Sequence, residues 1–294
     1  MENFTEEEIF SALLREVELL EAEGESALHL DREAVENLRQ RRDEKAFYGV
    51  ATTEAGEYVV AAKHYDNQLS EKYARNTGER PPSFTLPAGN KQTRWEALRK
   101  IVLESPLCQA HVKPGKKIVF GVGNLDAEIF FCGEAPGADE EIEGEPFVGR
   151  AGQLLTKIIE TMGLRREDVY IGNMLNWRPE MPTEYGNRPP TLRELELCSP
   201  FLHAQVDIVA PKVIVALGTT AARGLLGLDT TVPLGAVRGC WHKFAGIPVM
   251  PTFHPSFLLR NQTNATKRIV WEDMLQVMEK LSMPISEKQR RCFL

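Results

Sequence analysis

The chain has 294 residues, 43% hydrophobic and 26% charged, with a formal net charge of −7. That length supports one full core and leaves room for a second small unit. The negative balance excludes a whole-surface affinity for nucleic acid, because nonspecific binding depends on Lys and Arg neutralising phosphates, so any contact with DNA is expected to be local.

No stretch reaches the roughly 18 to 20 apolar residues that a membrane span requires. Met1 opens into an acidic, helix-like stretch and not into a basic region followed by an apolar signal core. A soluble, cytoplasmic protein with no membrane partner is expected. Cys108, Cys132, Cys198, Cys240 and Cys292 are odd in number and contain no C-x-x-C pair. This argues against a disulfide framework or a zinc knuckle and fits a reducing compartment.

In chain order, Phe4, Ile9, Phe10, Leu13, Leu14, Val17 and Leu20 recur mostly at three- and four-residue spacing behind an acidic first turn, which predicts an amphipathic helix. A second helix is predicted over 31–46, then mixed signals, then a Pro- and Gly-containing linker over 80–90. Residues 1–91 are therefore expected to form a small, largely helical N-terminal extension and linker, 92–284 the main domain, and 285–294 a C-terminal tail.

Past the linker, strands and helices alternate. Strands are predicted at 128–132, 169–171, 213–217 and 248–252, and helices at 149–162, 191–207 and 219–226. Such alternation predicts a three-layer α/β/α domain with a central, mostly parallel sheet, whose ligands bind at the carboxyl ends of the strands.

Four loops at those ends carry chemistry. Gly133-Glu134-Ala135-Pro136-Gly137 follows the first strand, and its glycines allow the backbone to approach a planar ligand. Pro146-Phe147-Val148-Gly149 puts an aromatic before a helix, Gly172-Asn173 ends the next strand with an amide, and Phe253-His254-Pro255-Ser256 ends the last with an imidazole. Basic islands stand at Lys113–Lys117 and Arg260–Arg268.

These motifs resemble the uracil-DNA glycosylases, specifically the branch called family 4. The stretches that carry the likeness are GEAPG from Gly133, PFVGRAGQLL from Pro146, GNMLNWRP from Gly172, PKVIVALG from Pro211, VRGCW from Val237 and FHPSFLLRN from Phe253. They cover nearly all of Trp95 to Leu281. The resemblance implies a monofunctional enzyme that hydrolyses the N-glycosidic bond of uracil in DNA, with uracil-containing DNA as partner; a monomer is expected.

By that resemblance His254 donates to uracil O2, Phe147 stacks on the everted base, Asn173 reads its O4 and N3–H edge, and the backbone of Gly133 and Ala135 contacts the pyrimidine. Glu134 is the candidate for ordering water, since Ala135 leaves no side-chain base where other branches have Asp or Asn. Glu140 is assigned to methyl exclusion. Leu258, with Leu259 second, is expected to fill the vacated stack, and Ser256, Arg260, Lys267 and Arg268 to hold flanking DNA.

The chain departs from family 4 at the four cysteines of an iron–sulfur cluster. Those places read Val102, Ser105, Trp177 and Cys198, so neither cluster nor any other metal or cofactor is expected, with Trp177 filling the volume. Two other readings compete: a protein that binds deaminated bases in DNA with little or no cleavage, kept open by Ala135, and an α/β enzyme for a small nucleotide or base.

Overall fold

The computed structural model describes residues 48–52, 58–62, 81–180, 187–229 and 231–294. The two predicted N-terminal helices lie outside them. The described part begins with a three-stranded antiparallel sheet, β1 (Tyr48–Thr52), β2 (Tyr58–Ala62) and β3 (Phe84–Leu86), in the order β1-β2-β3. Helices α1 (Lys91–Glu104) and α2 (Pro106–His111) follow.

The main sheet has six strands in the order β4-β6-β5-β7-β9-β8. These are β4 (Val122–Gly123), β5 (Ile129–Gly133), β6 (Tyr170–Asn173), β7 (Val213–Leu217), β8 (His242–Phe244) and β9 (Ile247–Thr252). The inner pairs β6·β5, β5·β7 and β7·β9 are parallel, and the edges β4 and β8 pair antiparallel. The connecting helices are α3 (Ala138–Glu143), α4 (Arg150–Thr161), α5 (Leu192–Val209), α6 (Thr219–Leu226), α7 (Pro255–Arg260), α8 (Asn264–Lys280) and α9 (Glu287–Arg290).

Side-chain alternation divides two buried cores across this sheet. Phe130, Cys132, Ile214 and Ala216 face the core shared with α1, α5 and α6, whereas Ile129, Phe131, Val213, Val215 and Leu217 face the one shared with α4 and α8. The strands therefore read as continuous apolar runs, which is the sequence signature of a sheet covered on both faces. The three-layer fold expected from the sequence is the one observed.

Helix α5 starts sharply because Thr191 and Glu194 form a reciprocal cap: Glu194 accepts from Thr191 N at 2.8 Å, and Thr191 Oγ1 accepts from Glu194 N at 3.2 Å. It runs almost wholly buried, touching β6 of the main sheet and β1 and β2 of the small one. Burial against both sheets explains why it carries so few charged residues after its first two turns.

Two boundaries are corrected. The domain does not begin near residue 92: Leu86 is fully buried, Phe84 stacks on Phe201 at 5.5 Å, and the compact unit starts at Phe47. The described elements of 48–90 are the strands β1, β2 and β3, where only mixed signals and a linker were expected, because strands this short give little periodicity. Nor is 285–294 a free tail. Gln289 O accepts from Trp271 Nε1 at 2.6 Å, Gln289 Nε2 donates to Thr161 O at 2.8 Å, and Cys292 packs against the α4–α8 core.

No helix among the described residues is long and apolar enough to cross a membrane.

Candidate active site

Strand β5 ends at Gly133, and the chain turns at once into α3. The carbonyls of Gly133 and Glu134 accept from Met174 N at 2.9 Å and Leu175 N at 3.1 Å, which joins the first loop to the loop after β6. Asn173 is the last residue of β6 and lies in register with Gly133. Its Oδ1 is buried and has no hydrogen-bond partner. Leaving such an acceptor unpaired costs about 1–3 kcal/mol, so the site is built to receive a donor.

Gly133 stands where these groups meet. A Cβ there would lie 2.4 Å from Asn173 Oδ1 and 2.5 Å from Phe147 Cζ, closer than real Cβ contacts come. Backbone, amide and aromatic ring therefore converge on one point. The Phe147 ring in turn lies 5.5 Å from the His254 ring at an interplanar angle of 32°. Three residues assigned to base recognition from separate motifs, together with the His254 imidazole, thus occupy one place.

Phe147 has a left-handed backbone, φ 55°, which is strained for a bulky residue and persists only where its surroundings fix it. Gly152 leaves room for its carbonyl. Arg166 donates to Pro146 O at 2.7 Å. Glu140 supplies the third restraint: one carboxylate oxygen accepts from Val148 N and Gly149 N at 3.0 and 2.9 Å, and the other from Gly137 N at 3.0 Å. Glu140 is thus a clasp between the Gly133 and Phe147 loops, a role the sequence reading did not give it.

His254 follows β9 and caps α7. Its Nδ1 accepts from Ser256 N at 3.1 Å and lies 2.9 Å from Ser256 Oγ. A backbone N–H can only donate, so Nδ1 is unprotonated and the neutral ring carries its proton on Nε2. Burial, assisted by the nearby charge of Arg260, lowers the imidazole pKa from 6.5 to about 4. At neutral pH the group is an uncharged donor.

Glu134 accepts a short hydrogen bond from Thr220 Oγ1, at the start of α6. Burial pushes its carboxyl above the ordinary carboxylate range, and the threonine bond opposes that shift. Thr220 escaped the sequence reading; its only signal is its place two residues after the Gly218 that ends the β7 motif. Ala135 is half-buried against the core and offers no acid or base.

A buried ion pair lies behind the His254 loop. Asp273 is fully buried, accepts from Arg238 Nη2 at 2.6 Å, and accepts from Thr252 Oγ1 at 2.5 Å. Thr252 ends β9 two residues before His254, so the pair secures the strand that delivers the imidazole. Arg238 also lies 5.5 Å over the Phe253 ring. Asp273 was missed, although it stands among Val270, Trp271, Met274 and Val277, all buried, where an unpaired charge would not be tolerated.

Three assignments to the DNA face change. Leu258 is 5% exposed, because in the six-residue helix α7 it shares the inward side with Pro255; it presents no wedge, and Leu259 is the more open of the two leucines. Arg268 is not free for phosphate, since it binds Glu272 and the carbonyls of Arg290 and Cys292. Ser256 turns its hydroxyl and N–H to His254. Arg260 is exposed beside the imidazole, and Lys267 lies 6.0 Å over the Phe293 ring.

The comparisons agree with this geometry. A family model described as the uracil DNA glycosylase superfamily matches residues 120–275. A type-4 uracil-DNA glycosylase of Thermotoga maritima is 45% identical over 182 residues, 61% of this chain and 90% of its own length. Those of Archaeoglobus fulgidus and Saccharolobus solfataricus are 44% and 41% identical, over 52% and 57% of this chain and 76% and 77% of theirs.

These relatives correct one expectation, that the protein has no cofactor. They belong to the branch whose members bind an iron–sulfur cluster, so the likeness implies that group. The side chains at the corresponding place do not supply four thiolates. Trp177 is buried and stacks on His111 at 4.5 Å, Cys198 and Cys108 are buried thiols, and among the described residues no group of three or more His, Cys, Asp or Glu is placed to hold a metal. Gly133, Phe147, Asn173 and His254 come together without any of these groups between them.

Proposed function

The chain belongs to the uracil DNA glycosylase superfamily and acts as a uracil-DNA glycosylase, and we propose that it is monofunctional, hydrolysing the bond between uracil N1 and the sugar through a neutral His254. The observation that carries this reading is the meeting of Asn173 Oδ1 and the Phe147 ring over Gly133, with His254 beside the ring.

In this reading the uracil is everted from the helix and stacks on Phe147. The unpaired Asn173 Oδ1 accepts from uracil N3–H, while its amide N–H₂ donates to O4. As the N1–C1′ bond breaks, its electron pair moves onto the ring and negative charge grows at O2, where the Nε2–H of His254 donates. A donor that strengthens as charge develops lowers the barrier, and an uncharged one does so without binding the ground state tightly.

Water completes the reaction by bonding to C1′, and its proton passes to a base. Glu134 is the candidate: burial raises its proton affinity, Thr220 fixes one oxygen, and its negative charge favours the cationic sugar. No lysine lies among the pocket residues, which supports hydrolysis without a Schiff base. Arg260, whose charge acts on the imidazole, is assigned to a flanking phosphate. We also read the protein as a cytoplasmic monomer.

The test is alkaline cleavage of single- and double-stranded oligonucleotides carrying one uracil. Wild type is expected to leave abasic sites, and Asn173→Ala to lose most of that activity. Retention of the DNA without abasic sites would replace this reading with that of a binder.

A further inference from the structure

The fold carries a basic cleft outside the base site. A cavity of about 610 Å³ is lined by Arg99 of α1, by Gln109 and the loop Lys113–Ile118 after α2, and by Glu143–Glu145 after α3. Four cations, Arg99, Lys113, Lys116 and Lys117, face two carboxylates there, Glu143 and Glu145, a surplus of two positive charges (4 − 2). In a chain of net charge −7 such a local surplus stands out.

The two outer cations are uncommitted. Arg99 and Lys113 are exposed, and their side chains form no ion pair or hydrogen bond among the described residues. The inner two are anchored: Lys117 Nζ donates to Glu143 O at 3.2 Å, and Lys116 lies 3.7 Å from Glu141, which Arg178 already holds at 2.8 Å. Glu141 is thus shared between two cations.

Topology puts the cleft at the mouth of the base site. Strand β4 runs antiparallel to β6, with Val122 opposite Ile171 and Gly123 opposite Tyr170, so the residues before β4 extend toward the Asn173 end of the sheet. Val119 N donates to Asn176 O at 2.8 Å, which continues that course. On the other wall, Glu145 stands two residues before Phe147. Arg260, following β9, lies at the opposite side of the same mouth. Four strand spacings separate β4 from β9, about 19 Å, the axial rise of about five to six nucleotides of one DNA strand.

We propose that this cleft binds backbone phosphates of the uracil-bearing strand on the flank away from Arg260, with Arg99 and Lys113 as the phosphate-contacting cations. The inference rests on the glycosylase reading for its DNA ligand. It assigns the cleft a share in affinity and none in choice of base, since phosphates are common to all sequences.

The test is the double variant Arg99→Gln/Lys113→Gln, in which both side chains are exposed and unbonded, so folding is preserved. Single-turnover excision and fluorescence-anisotropy binding are measured on a long uracil oligonucleotide and on one with a single nucleotide on either side of the uracil. The expected result on the long substrate is a half-saturation raised about tenfold, an unchanged maximal rate, and a slope of log K against log salt about two smaller in magnitude. The short substrate is expected to respond equally to both proteins.

Unchanged half-saturation and slope on the long substrate, with excision intact, would overturn the proposal. So would an equal effect of Lys243→Gln, an exposed cation on β8, because that would reduce the result to net charge. If wild type released no uracil, the glycosylase reading would fail, while the salt slopes would still report on the cleft.

Discussion

Gly152 and Phe147 are locked together: a Cβ on Gly152 would stand 1.8 Å from the carbonyl oxygen of Phe147. Helix α4 begins so close beneath the aromatic loop that only hydrogen fits between them. The strained φ of 55° at Phe147 is thus maintained from below by a missing side chain and from beside by the Glu140 clasp. Gly152→Ala is expected to displace the ring from the Asn173 edge. Overpacking of this kind costs about 1–3 kcal/mol; drawn from the ring's productive position, that is a fall of about 5- to 150-fold in single-turnover excision, together with a lower melting temperature.

Glu140→Gln removes the charge that accepts three backbone N–H groups at once. Hydrogen bonds to charged groups contribute about 1.5–3 kcal/mol each, and a glutamine keeps part of them. A loss on the order of 2 kcal/mol in denaturant unfolding is expected. Uracil excision should fall while thymine opposite guanine stays unreactive, because the carboxylate is committed to backbone and does not face a methyl group. Thymine release by the variant would restore the methyl-exclusion role.

The acid side of the stability profile follows from two buried imidazoles. Burial lowers His254 and His203 from 6.5 to about 4, so between those values the unfolded chain binds more protons than the folded one. Stability from this source is complete above about pH 6.5 and is lost progressively as pH falls toward 4. Urea midpoints from pH 8 to pH 4 should show the decline, and the His254 imidazole resonances should titrate well below 6. A His254 midpoint near 6.5 would contradict the assigned neutral donor.

Asp273→Asn leaves Arg238 half-buried beside a neutral amide. Breaking one partner of a buried pair typically costs about 3–5 kcal/mol. The replacement keeps the shape and one bond to Thr252, so the lower end of that range is expected. Because the pair secures the end of β9, the maximal excision rate should fall more than the half-saturation rises. A variant that unfolds at the wild-type denaturant concentration with its kinetics unchanged would show that the pair has no such role.

Much of this architecture could be read from residues alone. The apolar runs at Ile129–Cys132 and Val213–Leu217 identify strands buried on both faces, and the turns after them identify the mouth. That Gly133, Phe147, Asn173 and His254 lie together was legible through their motifs. What stayed hidden depends on contacts distant in sequence. Thr220 meets Glu134 across 86 residues, and Asp273 meets Arg238 across 35. Whether Leu258 or Leu259 faces outward is a question of helix phase over six residues, too few for periodicity to decide. The sheet β1-β2-β3 was lost because strands of three to five residues beside a linker give almost no pattern.

The central claim is that a neutral His254 donates from Nε2 to the departing uracil. Single-turnover excision by His254→Ala, with binding to uncleaved DNA measured in parallel, tests it most directly. Loss of one such donor is worth about 10²–10³ in rate, so a drop of that order with DNA affinity nearly unchanged is expected. Excision at the wild-type rate would contradict the account.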